Sequence, residues 1–134
     1  MEYHFTDEKP IYAQLVEFFK MEIISGERLP GNRLESVRDL ALKAKVNPNT
    51  MQKALAEMER LGLVKTERTN GRFVTDDLDL IDKTRREVAN SYMGIFVEKM
   101  LALGFEKTDL PDLITGFCNL KVGLGTSEEL EVLK

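Results

Sequence analysis

One short stretch constrains this chain more than any other: an asparagine, a proline, a polar turn, then an apolar stripe. It runs Asn47-Pro48-Asn49-Thr50-Met51-Gln52-Lys53-Ala54-Leu55. Asn47 suits a helix N-cap, because its side-chain oxygen accepts from the unpaired N–H groups of the first turn. Pro48 suits the first helical position, where its missing N–H costs nothing. Met51, Leu55, Met58 and Leu61 follow at helical spacing, and Gly62 stops the run. Such a helix buries its rear and shows Asn49, Thr50, Gln52 and Lys53 at its front. That front suits a polar, anionic surface.

The neighbours of this helix define a motif. Ser36 caps a shorter helix with Leu40, Ala41 and Ala44 inside, and Asp39 is a weak capping-box partner. Only a few residues around Val46 separate the two helices, so they must cross steeply, as in a helix-turn-helix. Downstream, 63–67 and 72–75 alternate around Arg68-Thr69-Asn70-Gly71, and Asn-Gly is a strong hairpin signal. This wing is expected to lay Val64, Phe73 or Val74 against the recognition helix. The pattern is a winged helix-turn-helix, and double-stranded DNA is the leading partner.

The rest of the chain is helical in pattern. Residues 1–9 read as a short polar lead. Pro10 opens a helix lined by Tyr12, Leu15, Val16, Phe19 and Ile23, and Gly26 ends it. After the acidic run at 76–79, a long helix is expected from about 78 to 103. A further one opens near Asp109 and Pro111, with a loop and a final acidic turn from Gly123 onward. The fold class expected is mainly α with a small β-hairpin wing. The domains expected are 1–76, a winged helix-turn-helix, and 77–134, a short helical dimerisation domain. Ile81, Val88, Tyr92, Ile95, Phe96 and Met100 form an apolar stripe too large for one small subunit to cover. Each such group gains roughly 1.5–3 kcal/mol on burial, so a two-fold partner presenting the same stripe is expected.

Composition narrows the function. Net charge is −4, which alone argues against nucleic acid, but distribution matters more. Residues 28–75 hold ten Lys/Arg against five Asp/Glu, and residues 76–134 hold seven against twelve. A basic head and an acidic tail follow. Cys118 is the single cysteine and His4 the single histidine, so no internal disulfide, cysteine zinc site or histidine triad can form. Cys118 reads as a buried structural thiol and His4 as an exposed tail residue. Asp76, Asp77, Asp79 and Asp82 read as a solvated helix start rather than a metal site. No metal and no cofactor is expected, and no enzyme. No apolar run reaches the roughly 18 residues of a membrane span, and the start lacks signal-peptide character, so a cytoplasmic protein without membrane contact is expected.

Several spaced motifs then occur in order: Pro10-Ile11-Tyr12-Ala13-Gln14-Leu15, Ile24-Ser25-Gly26, Leu29-Pro30-Gly31, Ser36-Val37-Arg38-Asp39-Leu40-Ala41, Val46-Asn47-Pro48-Asn49-Thr50, Leu61-Gly62-Leu63-Val64 and Gly71-Arg72-Phe73-Val74. Together they resemble the DNA-binding domain of GntR-type bacterial transcription regulators over residues 10–75. The short remainder, with Leu103-Gly104-Phe105 before an acidic helix, resembles the YtrA subfamily. The resemblance implies a homodimer on a roughly palindromic operator, usually a repressor, often of a transporter operon. It places DNA contacts on Ser36, Arg38, Asn47, Asn49, Thr50, Gln52, Lys53, Asn70, Gly71 and Arg72. Two departures stand out. Glu35 replaces the family's usual proline, which puts a carboxylate near the expected phosphate path, and the wing carries one glycine where two are usual.

Each assignment has a plainer counterpart. Arg38 could grip a phosphate or a guanine edge, or pair with Asp39 or Glu35. Asn47 could be a cap alone. Lys53 and Arg72 could neutralise phosphates or be solvated charges. A small-molecule effector, of a kind the chain does not name, would act by favouring one dimer arrangement. The alternative function is a winged-helix module for protein–protein assembly without specific DNA binding.

Overall fold

The computed structural model describes residues 2–120. The chain divides into two compact units, Met1–Val88 and Ala89–Lys134. The expected loop and acidic turn from Gly123 lie outside the described residues.

The first unit is built around three helices. Helix α1 spans Ile11–Ile24, α2 spans Val37–Ala44 and α3 spans Pro48–Arg60. Their starts follow the chemistry of their first residues. The Ser36 hydroxyl accepts from the Asp39 N–H at 3.1 Å, and the Asn47 side-chain oxygen accepts from the Asn49 N–H at 2.8 Å. Lys45 makes the corner between α2 and α3 in the left-handed region, at φ 57°, where a Cβ is disfavoured. Leu15, Phe19 and Ile23 of α1 meet Leu40 of α2 and Met51, Leu55 and Met58 of α3 in one core. Each of these side chains is almost fully enclosed.

Strand β1 (Val64–Glu67) pairs antiparallel with β2 (Gly71–Val74), Val64 opposite Val74 and Glu67 opposite Gly71. The turn is Arg68-Thr69-Asn70, so Gly71 is the first paired residue of β2 rather than part of a two-residue tip. Its φ of +103° needs a glycine. Val64 and Val74 are buried in the core and Phe73 is half-buried. A third edge joins the wing. Arg33 bridges Phe73, the Leu34 N–H donates to the Arg72 carbonyl at 2.9 Å, and the Val74 N–H donates to the Asn32 carbonyl at 2.8 Å.

The amino-terminal lead is more than a polar tail. Tyr3 and Phe5 pack on the core, and both rings meet Phe18 edge-on at centroid distances of 5.3 and 5.7 Å. Burying these rings outweighs the polar character of their neighbours. His4 is exposed.

Helix α4 spans Leu78–Ala102. The Asp77 carboxylate accepts from the Leu80 N–H at 3.1 Å, and Asp77's own N–H donates to the buried Thr75 hydroxyl at 3.1 Å. The first turns of α4 belong to the first unit. Ile81 lies in its core, Val88 packs against that core, and Arg85 donates to the Ile24 carbonyl at 3.0 Å. Ile81 is therefore not available to face a partner as expected, because the first unit's own core already buries it.

In the second unit, α4 ends before Gly104, and a short 3-10 turn, Lys107–Asp109, leads into α5, Leu110–Cys118. Glu106 and Asp109 cap this start reciprocally, with the Glu106 N–H donating to Asp109 at 2.8 Å. Leu110 is buried, but Cys118 is exposed, contrary to its reading as a buried thiol. A nine-residue helix beside one neighbour leaves most of its surface open. Among the described residues, no helix is long and apolar enough to cross a membrane.

Candidate nucleic-acid interface

The structure sorts the expected contact residues by what already holds them. Ser36 and Asn47 cap their helices through their side-chain oxygens. A cap oxygen bonded to a backbone N–H leaves the neighbouring helix-end N–H groups to face an anion. Asn49 is exposed and Thr50 half-buried at the start of α3. Arg38 is exposed in the first turn of α2, with no ion pair to Asp39 or Glu35.

Lys53 and Arg72 are engaged. The Lys53 ammonium lies 4.0 Å from the centroid of the Tyr12 ring, a cation–π contact that ties α3 to α1. Arg72 reaches from the wing to α3. Its Nε donates to Glu59 at 3.2 Å and its Nη2 donates to the Gln52 side-chain oxygen at 3.1 Å. Glu59 also accepts from the Thr66 hydroxyl. Arg72 is thus balanced by a carboxylate of its own chain and is not a freely solvated charge. At the turn, Asn70 donates to Glu67 at 3.1 Å.

Glu35, one-third exposed at the approach to α2, is held by cations of its own chain. Arg28 donates to it twice, at 3.3 and 3.1 Å, and Lys43 lies at 3.9 Å. Those hydrogen bonds, and then the neighbouring positive charges, hold its carboxyl below the usual range against the opposing pull of partial burial. The Arg28 Nε donates at 3.1 Å to Glu22, which is buried, and the Tyr3 hydroxyl donates to the same carboxylate at 3.1 Å. Burial, and then the Glu22 charge, push the Tyr3 hydroxyl up to about 12. Burial disfavours the Arg28 charge, but its bonds to Glu35 and the Glu22 charge outweigh that and raise it.

One cation was not expected. Arg33 stands on the third edge of the wing, exposed, with its guanidinium over Gly71. A Cβ on Gly71 would lie 3.1 Å from the Arg33 Nε, so the glycine makes room for it. Arg33, Glu35, Ser36, Val37, Gly71 and Arg72 are among the residues lining one cleft between the start of α2 and the wing. The available signal was its place between Pro30-Gly31 and Ser36, but its pairing with Phe73 is a contact across forty residues. Arg33, Arg38, Lys45 and Arg68 are all exposed and, among the described residues, none of them is in an ion pair.

Three of the acidic residues near 76–82 have partners. Asp76 pairs with Lys65 at 2.9 Å, Asp77 caps α4, and Asp82 pairs with Arg86 at 2.8 Å. Among the described residues, no group of three or more such side chains is placed to hold a metal ion.

In the second unit, Phe96 and Met100 of α4 line an apolar groove with Leu113, Ile114 and Phe117 of α5. Tyr92 and Ile95 are more than half exposed.

Comparison with known proteins agrees with this geometry. The model of the family described as bacterial regulatory proteins, gntR family, matches residues 11–74. The chain is 37% identical over 117 residues to the HTH-type transcriptional regulator YhcF of Bacillus subtilis (strain 168), spanning 87% of this chain and 97% of that protein. It is 40% identical over 68 residues to the HTH-type transcriptional repressor YtrA of the same organism, 51% of this chain and 52% of that one. A solved GntR family transcriptional regulator from Listeria monocytogenes superposes with a TM-score of 0.75 at 36% identity, covering 84% of this chain and 98% of its own. A winged helix-turn-helix with these relatives has one place: this chain belongs to the GntR family of bacterial transcriptional regulators, and its likeness to YtrA supports a YtrA-like subgroup.

Proposed function

We propose that this regulator acts in the cytoplasm as a homodimer that binds a specific, roughly palindromic operator and represses a transporter-type operon. The observation that carries DNA binding is the set of unpaired cations, Arg33, Arg38, Lys45 and Arg68, exposed on the wing and around α2 beside the polar start of α3. Phosphate contacts position such a protein, and a few side chains read bases. Ser36, Arg38, Asn47, Asn49, Thr50 and Lys53 from the two helices, with Asn70, Gly71 and Arg33 from the wing, form the surface; Gln52 and Arg72 complete it as one bonded pair. The repressor assignment is carried over from the likeness to the repressor YtrA, and the transporter assignment from the subfamily resemblance of the sequence.

The dimer reading rests on the apolar surface of the second unit. Phe96, Ile114 and Phe117 are each more than one-third exposed around one groove, and water contact with so much apolar surface is unfavourable. A division of labour follows, with 1–76 binding DNA and 77–134, beyond the first turns of α4 that pack on the first unit, joining the copies through Tyr92, Ile95, Phe96 and Met100. Two copies would set their recognition helices for half-sites about 34 Å apart or a multiple. A small molecule would regulate it by binding two dimer arrangements unequally.

The test is a mobility-shift titration against duplexes from the promoter of the protein's own gene and its neighbours. Arg38→Ala should abolish the specific complex, and binding should weaken steeply with salt. Equal affinity for all duplexes, unchanged by Arg38→Ala, would instead favour the protein-assembly module. Sedimentation of Phe96→Asp should give a monomer where the unaltered protein gives a dimer.

A further inference from the structure

We propose that Arg72 determines the base preference of the recognition helix by holding the Gln52 side-chain amide in one orientation, so that Gln52 offers its N–H donors to a guanine. This rests on α3 being the helix that enters the major groove, and it assigns one position of that helix a reading.

Gln52 is exposed on α3, past the capped first turn. Arg72 lies on β2 and donates from Nη2 to Oε1 of Gln52 at 3.1 Å. Arginine carries only donors, so the amide atom that faces it is the oxygen. Arg72 is itself held. Its Nε donates to Glu59 at 3.2 Å, and Glu59 is fastened to the Thr66 hydroxyl of β1. The Arg72 side chain is only 27% exposed. Wing and recognition helix are therefore joined by a fork with one tine on a carboxylate and the other on an amide.

The consequence is chemical. Glutamine reads adenine with both amide atoms, the oxygen accepting from N6 and the nitrogen donating to N7. With its oxygen turned toward the wing, Gln52 presents the other end of the amide, the NH2 group, to a ligand. Two N–H donors match the N7 and O6 acceptors that guanine alone places side by side in the major groove. The carbonyl retains a second lone pair, but its direction is set by the bond to Arg72. The Arg72 charge is already balanced by Glu59, so the residue acts by positioning rather than by neutralising phosphate.

The experiment measures relative affinities of the full-length protein for operator duplexes carrying each of the four bases at every position. The unaltered protein should prefer guanine at one position per half-site by at least about fivefold. Gln52→Ala should make that position indifferent. Arg72→Ala frees the amide to rotate and should move the preference at the same position toward adenine, and the double variant should match Gln52→Ala there. Arg72→Lys keeps a charge opposite Glu59 but not the fork, and should give the same change if Arg72→Ala does not fold. A uniform loss of affinity in both Arg72 variants with base preferences intact would overturn the proposal, as would changes at a position other than the one Gln52→Ala affects. An unaltered protein that binds duplex without any base preference would overturn the reading beneath it as well, a result distinct from either.

Discussion

Arg28 holds Glu35 in a two-pronged ion pair, Nη1 to Oε1 at 3.3 Å and Nη2 to Oε2 at 3.1 Å. The carboxylate that stands in the place of a proline, at the edge of the cleft beside the wing, is therefore paired within its own chain, and the approach to α2 is fastened by charge instead of by a ring. The same guanidinium packs 5.5 Å from the Phe19 ring centroid and bonds the buried Glu22.

Removing Arg28 should be severe. Arg28→Ala leaves the Glu22 carboxylate enclosed with, among the described residues, only the Tyr3 hydroxyl to donate to it. Breaking one side of a buried pair costs about 3–5 kcal/mol. Urea denaturation should show a midpoint lowered accordingly, and a shift of under about 1 kcal/mol would mean the network contributes little.

Glu35 should leave a signature in acid. Its folded-state pKa is held below the ordinary carboxylate value, chiefly by the Arg28 hydrogen bonds. Its contribution to stability is therefore full above the ordinary value of 4.5 and disappears as pH falls through the lowered one. Glu35→Gln should flatten the stability-against-pH curve in that acid range. Curves that stay parallel below pH 4.5 would contradict the pair.

Lys45 pays a backbone penalty at the corner between α2 and α3. It adopts φ 57° and ψ 46°, a conformation in which a side chain is strained by roughly 1–2 kcal/mol. Lys45→Gly should raise the stability of the free protein by about 1 kcal/mol after the larger entropy loss of glycine is counted. The same change should weaken DNA binding, because it removes a cation. Thermal melting and a duplex titration together separate the two effects.

Arg33 should report on phosphate contact. Arg33→Ala should lower affinity by a similar factor for operator and unrelated duplexes, and reduce the slope of log affinity against log salt by about 0.9. Gly71→Ala forces a Cβ to 3.1 Å from the Arg33 Nε and into an unfavourable φ, so it should show the same loss through displacement of Arg33. An unchanged salt slope in Arg33→Ala would place the residue off the DNA path.

The amino-acid order determined what depends on neighbours along the chain. Asn47 and Ser36 each bond an N–H two or three residues away, so their capping roles follow from local geometry. The apolar spacing of Met51, Leu55 and Met58 likewise defined a buried face before any partner was known. Tertiary structure decided what depends on residues far apart. Tyr3 found Glu22 at 3.1 Å, and Arg72 found Gln52 twenty positions back rather than solvent. Ile81 looked like one member of a long exposed stripe, but the first unit encloses it and leaves Phe96 in a groove with α5. Helical spacing reports which side chains share a face. It carries no information on which neighbour covers that face, because burial and ion pairing are settled by distances that only the folded chain sets.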